Sequence, residues 1–206
     1  MNGRTVAIVL ICAVLGITGP LGFAASPPRM RPYVGIGVVV FPEPGNSQKQ
    51  DLQLQLYEEP GLVRLRLLTS SALPGNEWVF GSSGENAPLI VSTRKGDWLR
   101  VFFDDAGREA WINPQHKGHF QSWEQYLKLH TGRMLPALQP QFYQLLQQPG
   151  GKLVTTLTPK QMFRVLKLEN LSALVLTDNG KIGWVRWRDD DGRLTVGTGE
   201  IKKAKE

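Results

Sequence analysis

Between Trp98 and Ile112 the chain reads as two short strands around one tight turn, and this hairpin limits the fold more than any other stretch. Leu99, Val101 and Phe103 alternate with Trp98, Arg100 and Phe102. That two-residue period places the first three on one face and Trp98 on the other. Asp104-Asp-Ala-Gly107 supplies turn residues, and Glu109 to Ile112 closes the unit. A weaker copy runs from Asn170 to Val185. Gly180 follows Gly107 by 73 positions and Trp184 follows Trp111 by the same 73. At that shift Asp105 meets Asp178, Arg108 meets Lys181, Phe103 meets Leu176 and Val101 meets Leu174. Internal duplication of a small β-unit is the simplest account.

The flanking segments fit the same pattern. Tyr33 to Phe41 is an apolar, glycine-punctuated strand candidate, followed by a loop at Pro42 to Ser47. Asp51 to Tyr57 alternates apolar and polar residues, Glu58 to Gly61 turns, and Leu62 to Leu68 alternates again with Arg64 and Arg66 on one expected face. Leu89 to Val91 resumes a strand after a long excursion. In the second half, Lys152 to Leu157, Met162 to Leu168, Leu171 to Thr177 and Ile182 to Trp187 read as strands, with Asp178-Asn-Gly180 a hairpin turn. Between the halves Ser122-Trp-Glu-Gln125 predicts a capping box, and Phe120, Trp123, Leu127 and His130 follow helical spacing. A second helix is expected from Pro140, with Phe142, Leu145 and Leu146 on its apolar face. Residues 116–149 are therefore expected to form a helical connector.

The amino terminus has the order of a secretory signal: Arg4, an apolar run from Thr5 to Thr18, the breaker Gly19-Pro20, then small residues at Gly22, Ala24 and Ala25. Residues 1–24 are read as a signal peptide, which implies export to the periplasm or the extracellular space, with no stable membrane span after cleavage. The single cysteine, Cys12, lies inside that leader, so the remainder can have neither a disulfide nor a thiolate. Twenty-two glycines and 14 prolines fit short strands with many turns. A net charge of +6 favours anionic surfaces. The densest basic cluster is the tail, residues 202–206, which reads as a solvated end, and nothing supports nucleic-acid binding.

Gly96-Asp97-Trp98, Val101, Gly107 and Ala110-Trp111-Ile112 resemble the central hairpin of the SH3-like β-barrels. Together with the export signal, they resemble the bacterial (SH3b) branch of that family. Leu56-Tyr57-Glu58-Glu59 is similar to the family's opening strand as it enters its long loop. The resemblance implies a mainly β fold: two small SH3-like β-barrels, at 51–115 and 150–201, joined by the helical connector and preceded by a linker and first strand at 25–50. It also implies a non-enzymatic interaction module of the cell envelope, whose ligand is a peptide or a cell-wall peptide. By the same resemblance Trp98 lines the ligand groove, with Tyr57 beside it. Leu171 stands where Trp98 would recur, so the second copy is expected to be structural. The alternative is a structural or self-associating envelope protein whose groove is covered by the connector. Trp111 and Trp184, mid-strand among apolar residues, are expected in the core.

No catalytic constellation is evident. His116-Lys-Gly-His119 has a spacing a metal could use, but no clear third ligand accompanies it. His130 reads as a capping or packing group. Asp104-Asp105 and Asp189-Asp190-Asp191 sit in turns, where aspartate is favoured for local hydrogen bonding. Nucleophile elbows, zinc-protease helices and phosphate loops are absent from the sequence, and no cofactor or metal is expected.

Overall fold

The computed structural model describes residues 30–42, 52–81 and 87–199. The expected signal peptide with Cys12, most of the proline-rich linker, most of the loop after Phe41 and the basic tail lie outside the described residues.

Alternation and turn chemistry produce strands in both halves. The first half contains β1 (Gly37–Val40), β2 (Gln53–Glu59), β3 (Leu62–Thr69), β4 (Leu89–Lys95), β5 (Trp98–Phe102), β6 (Glu109–Ile112) and β7 (His119–Ser122). A short helix, α1 (Glu77–Phe80), lies in the excursion before β4, and α2 (Trp123–Leu129) follows β7. The second half contains β8 (Thr131–Met134), β9 (Gln144–Leu146), β10 (Leu153–Thr156), β11 (Met162–Glu169), β12 (Ser172–Thr177), β13 (Ile182–Arg186) and β14 (Val196–Thr198). The result is mainly β: two antiparallel seven-stranded sheets, ordered β3-β2-β6-β5-β4-β1-β7 and β10-β9-β13-β12-β11-β8-β14. Adding seven to each strand number converts the first order into the second.

The register corrects the single shift of 73. Phe103 N–H donates to Arg108 O in the first hairpin, and Thr177 N–H donates to Lys181 O in the second. Four residues separate the first pair and three the second. The turn is thus one residue shorter, so the outgoing strands match at 73 and the incoming ones at 74. Leu99, Val101 and Phe103 correspond to Ala173, Val175 and Thr177, all buried. Both β4–β5 and β11–β12 break register at the same place, between Val91 and Thr93 and between Val165 and Lys167. A bulge fixes local twist and register, so this correspondence extends beyond hydrophobic pattern.

The interval 116–149 is not the expected pair of helices. Its helix α2 carries the capping box, with Ser122 and Gln125 bonding reciprocally. On either side of α2, however, β7 completes the first sheet and β8 opens the second. Pro140–Tyr143 is a single 3-10 turn that leads into β9. Leu145 and Leu146 are strand residues. An apolar run this short satisfies either period, and pairing with β13 and β10 selected the strand.

Two cores form. One lies within the first half and includes Leu54, Leu56, Leu68, Val91, Leu99, Val101 and Ile112. The other belongs to both halves: Val34, Val38, Val79, Phe80 and Ile90 pack with α2 and with Phe163, Val175, Val185 and Trp187. Trp123 lies 6.4 Å from Phe80 and 5.9 Å from Trp187, ring centroid to centroid. The segment before β1 is no free linker. Val34 N–H donates to Gly192 O, Leu194 N–H donates to Pro32 O, and Arg31 pairs with Asp189. Gly197 lets α1 approach β14, since a Cβ there would lie 2.4 Å from Val79 O. Among the described residues no helix is long and apolar enough to cross a membrane.

Candidate functional site

The inward phase of β5 leaves Trp98 half-buried while Leu99 is buried. Trp98 follows the tight turn Gly96-Asp97, where Gly96 adopts φ 58°. Tyr57 occupies the outward phase of β2, between the buried Leu56 and the exposed Glu58. The two rings meet edge to face, with centroids 5.1 Å apart and planes at 88°. Gly61, at the tip of the β2–β3 turn, lies against the Trp98 ring (a Cβ there would be 3.7 Å from it). Sequence-distant aromatics are thus brought together on one face of the first sheet.

They line a surface cleft of about 250 Å³ with Gln53, Gln55, Asn113, Gln115 and Lys117. No residue of α2 lines the cleft. The lining beyond Trp98 and Tyr57 was not legible in the sequence, because isolated amides in strands and turns carry no signal. Lys117 Nζ donates to Gln53 O at 2.7 Å, spanning from the 3-10 turn Gln115–Lys117 to β2. Gln115 holds φ 48°, a left-handed conformation that costs an ordinary residue about 1–2 kcal/mol. Such strain persists where the surroundings over-determine it, often at binding sites.

Trp111 is buried as expected, whereas Trp184 is only partly buried and lies outside the core. Trp111 is 7% exposed, and its register partners are Tyr57 and Arg100, on the face opposite Ala110 and Ile112. It is buried beside Tyr57, on the face turned away from Ala110 and Ile112. Trp184 likewise pairs with Leu146 and Leu174, while its neighbours Gly183 and Val185 are buried. The small residues Ala110 and Gly183 face the interior instead, which apolar pattern alone did not reveal.

The same registers locate the counterpart of the cleft. Leu146 opposes Trp184 as Tyr57 opposes Trp111, and Ser172 opposes Glu169 as Trp98 opposes Lys95. Ser172, not Leu171, stands in the place of Trp98. Neither aromatic recurs in the second half.

Arg64 and Arg66 do not share a face. Arg64 is in register with Tyr57, whereas Arg66, beside a bulge, lays its guanidinium 4.8 Å from the Phe103 centroid. Asp104 serves its turn: it accepts from the Arg108 backbone and guanidinium. Burial pushes its carboxyl up, but these bonds outweigh that and hold it below the usual range. Asp189 behaves alike, with burial opposed by the Arg193 N–H and the Arg31 guanidinium. His119 bonds to Gln121, and His130 Nδ1 meets Tyr126 O at 2.7 Å as the residue that caps α2. Among the described residues no three His, Cys, Asp or Glu side chains group to hold a metal ion. No protein-family model matches the sequence, and no curated protein matches it.

Proposed function

We propose that the chain is an exported, non-enzymatic binding protein of the bacterial cell envelope, built from two SH3-like (SH3b) domains, whose first domain grips a peptide or cell-wall peptide. The observation that carries this reading is the Tyr57–Trp98 pair at the cleft, with Leu146 and Ser172 in the equivalent places of the second half. The matching strand orders and the shared bulge support the tandem reading. Half-buried aromatics at a cleft supply large contact area at little conformational cost, which suits recognition. Retention on purified insoluble cell wall tests the assignment. Trp98→Ala is expected to weaken retention by about tenfold or more. Equal retention of both proteins would remove the cleft from the proposal.

One observation favours a structural, self-associating role instead. β3 is an edge strand, and Leu62, Val63, Leu65 and Leu67 are exposed on it. Long apolar edges template pairing with another chain. Light scattering distinguishes the two: a dimer dispersed by Leu65→Lys, without wall retention, would establish the second reading.

A further inference from the structure

We infer that the Tyr57–Trp98 cleft selects ligands carrying a carboxylate, and that Lys117 is the residue that holds it. This rests on the cleft being the binding site proposed above. Among the described residues that line it, Lys117 bears the only charge and none is acidic. The other lining residues with polar groups are Gln53, Gln55, Asn113 and Gln115, with side-chain amides, and Tyr57 and Trp98, with a hydroxyl and an indole N–H. Side-chain amides donate and accept, so they bond neutral groups and anions alike. Discrimination by charge falls to the ammonium.

Local structure places that ammonium. The Lys117 N–H donates to Pro114 O at 2.8 Å and closes the 3-10 turn, while Gln115 N–H donates to Asn113 Oδ1 at 3.2 Å. The left-handed Gln115 lets one short turn direct both its own side chain and that of Lys117 to the cleft. The bond from Nζ to Gln53 O anchors the charged head at the wall of the cleft and uses one of its three N–H groups. A carboxylate reaching the cleft can accept from the remaining donors, in a bond roughly twice as strong as one between neutral groups. Tyr57 and Trp98 then cover the apolar part of the same ligand.

The test uses soluble fragments of enzymatically digested bacterial wall, before and after conversion of their carboxyl groups to methylamides. Affinity for the purified protein is measured by calorimetry at low salt and in 0.5 M salt. The wild type is expected to bind untreated fragments about fivefold more tightly than amidated ones at low salt, as for an exposed ion pair. High salt should shrink that preference by screening. Lys117→Met should abolish the preference, so that untreated and amidated fragments bind it equally, and Lys117→Arg should retain it. Equal wild-type affinity for both forms, or a preference that survives Lys117→Met, overturns the inference and leaves the cleft assignment standing. Absence of binding by either form removes the cleft assignment and the inference together.

Discussion

The indole N–H of Trp123 donates to the carbonyl oxygen of Val34 at 2.6 Å, joining the helix between the two sheets to the segment ahead of the first strand. Trp123 also packs between Phe80 of the first half and Trp187 of the second. One residue therefore connects three elements that are far apart in the chain.

Shared burial of this kind predicts a single unfolding transition. Calorimetry should give one cooperative endotherm, not two. Trp123→Ala should lower stability by about 3–5 kcal/mol, the range for large aromatic truncations. Two separate transitions in the wild type would show that the halves unfold independently.

The two tryptophans of the first hairpin should behave differently. Trp98 is half-buried at a cleft, so Trp98→Ala should cost about 1 kcal/mol or less and act mainly on binding. Trp111 is 7% exposed beside Tyr57, so Trp111→Ala should cost about 3–5 kcal/mol and distort the cleft indirectly. Urea denaturation of both variants, with wall retention measured alongside, separates the two roles.

Tyr126 gives a pH dependence with a definite sign. Burial pushes its hydroxyl up to about 12 from 10.0, against a smaller opposing effect of its bond to Thr198. The folded state thus holds the phenolic proton more tightly than the unfolded chain. Its contribution, about 2–3 kcal/mol at 1.36 kcal/mol per unit, is complete below pH 10 and is lost as pH rises towards 12. Tyr126→Phe should lose about 1 kcal/mol at neutral pH, for the hydrogen bond. It should also unfold less steeply with pH between 10 and 12. Parallel alkaline titrations of the two proteins, followed by circular dichroism, measure the difference.

Gly96 and Asn170 hold the equivalent corner of each unit, at φ 58° and 50°. No atom lies within 4 Å of a Cβ built on Gly96, so the cost of substitution there is set by the backbone. Gly96→Asn should change stability by about 0.5 kcal/mol or less, because asparagine tolerates the left-handed region. Gly96→Val should cost about 1–2 kcal/mol. Thermal melts of the two variants are the check.

What the amino-acid sequence determined by itself is what depends on near neighbours. Alternation marked most of the strands, Asp and Gly marked the turns, and Ser122 with Gln125 marked the start of α2. Only the resemblance of the first hairpin to a known family pointed to Trp98 and Tyr57, whose ring centroids lie 5.1 Å apart. Only the tertiary structure decided the rest, because it depends on pairing between distant strands. One residue fewer in the second turn moved Ser172 into the place of Trp98. Register with Tyr57 set Trp111 on the face opposite Ala110 and Ile112. Pairing turned Leu145 and Leu146 from an expected helix into a strand, and bonds from Val34 and Leu194 fastened the leading segment to the far half. Periodicity specifies which residues alternate, but which face meets which partner is settled only when the sheets assemble around a common core.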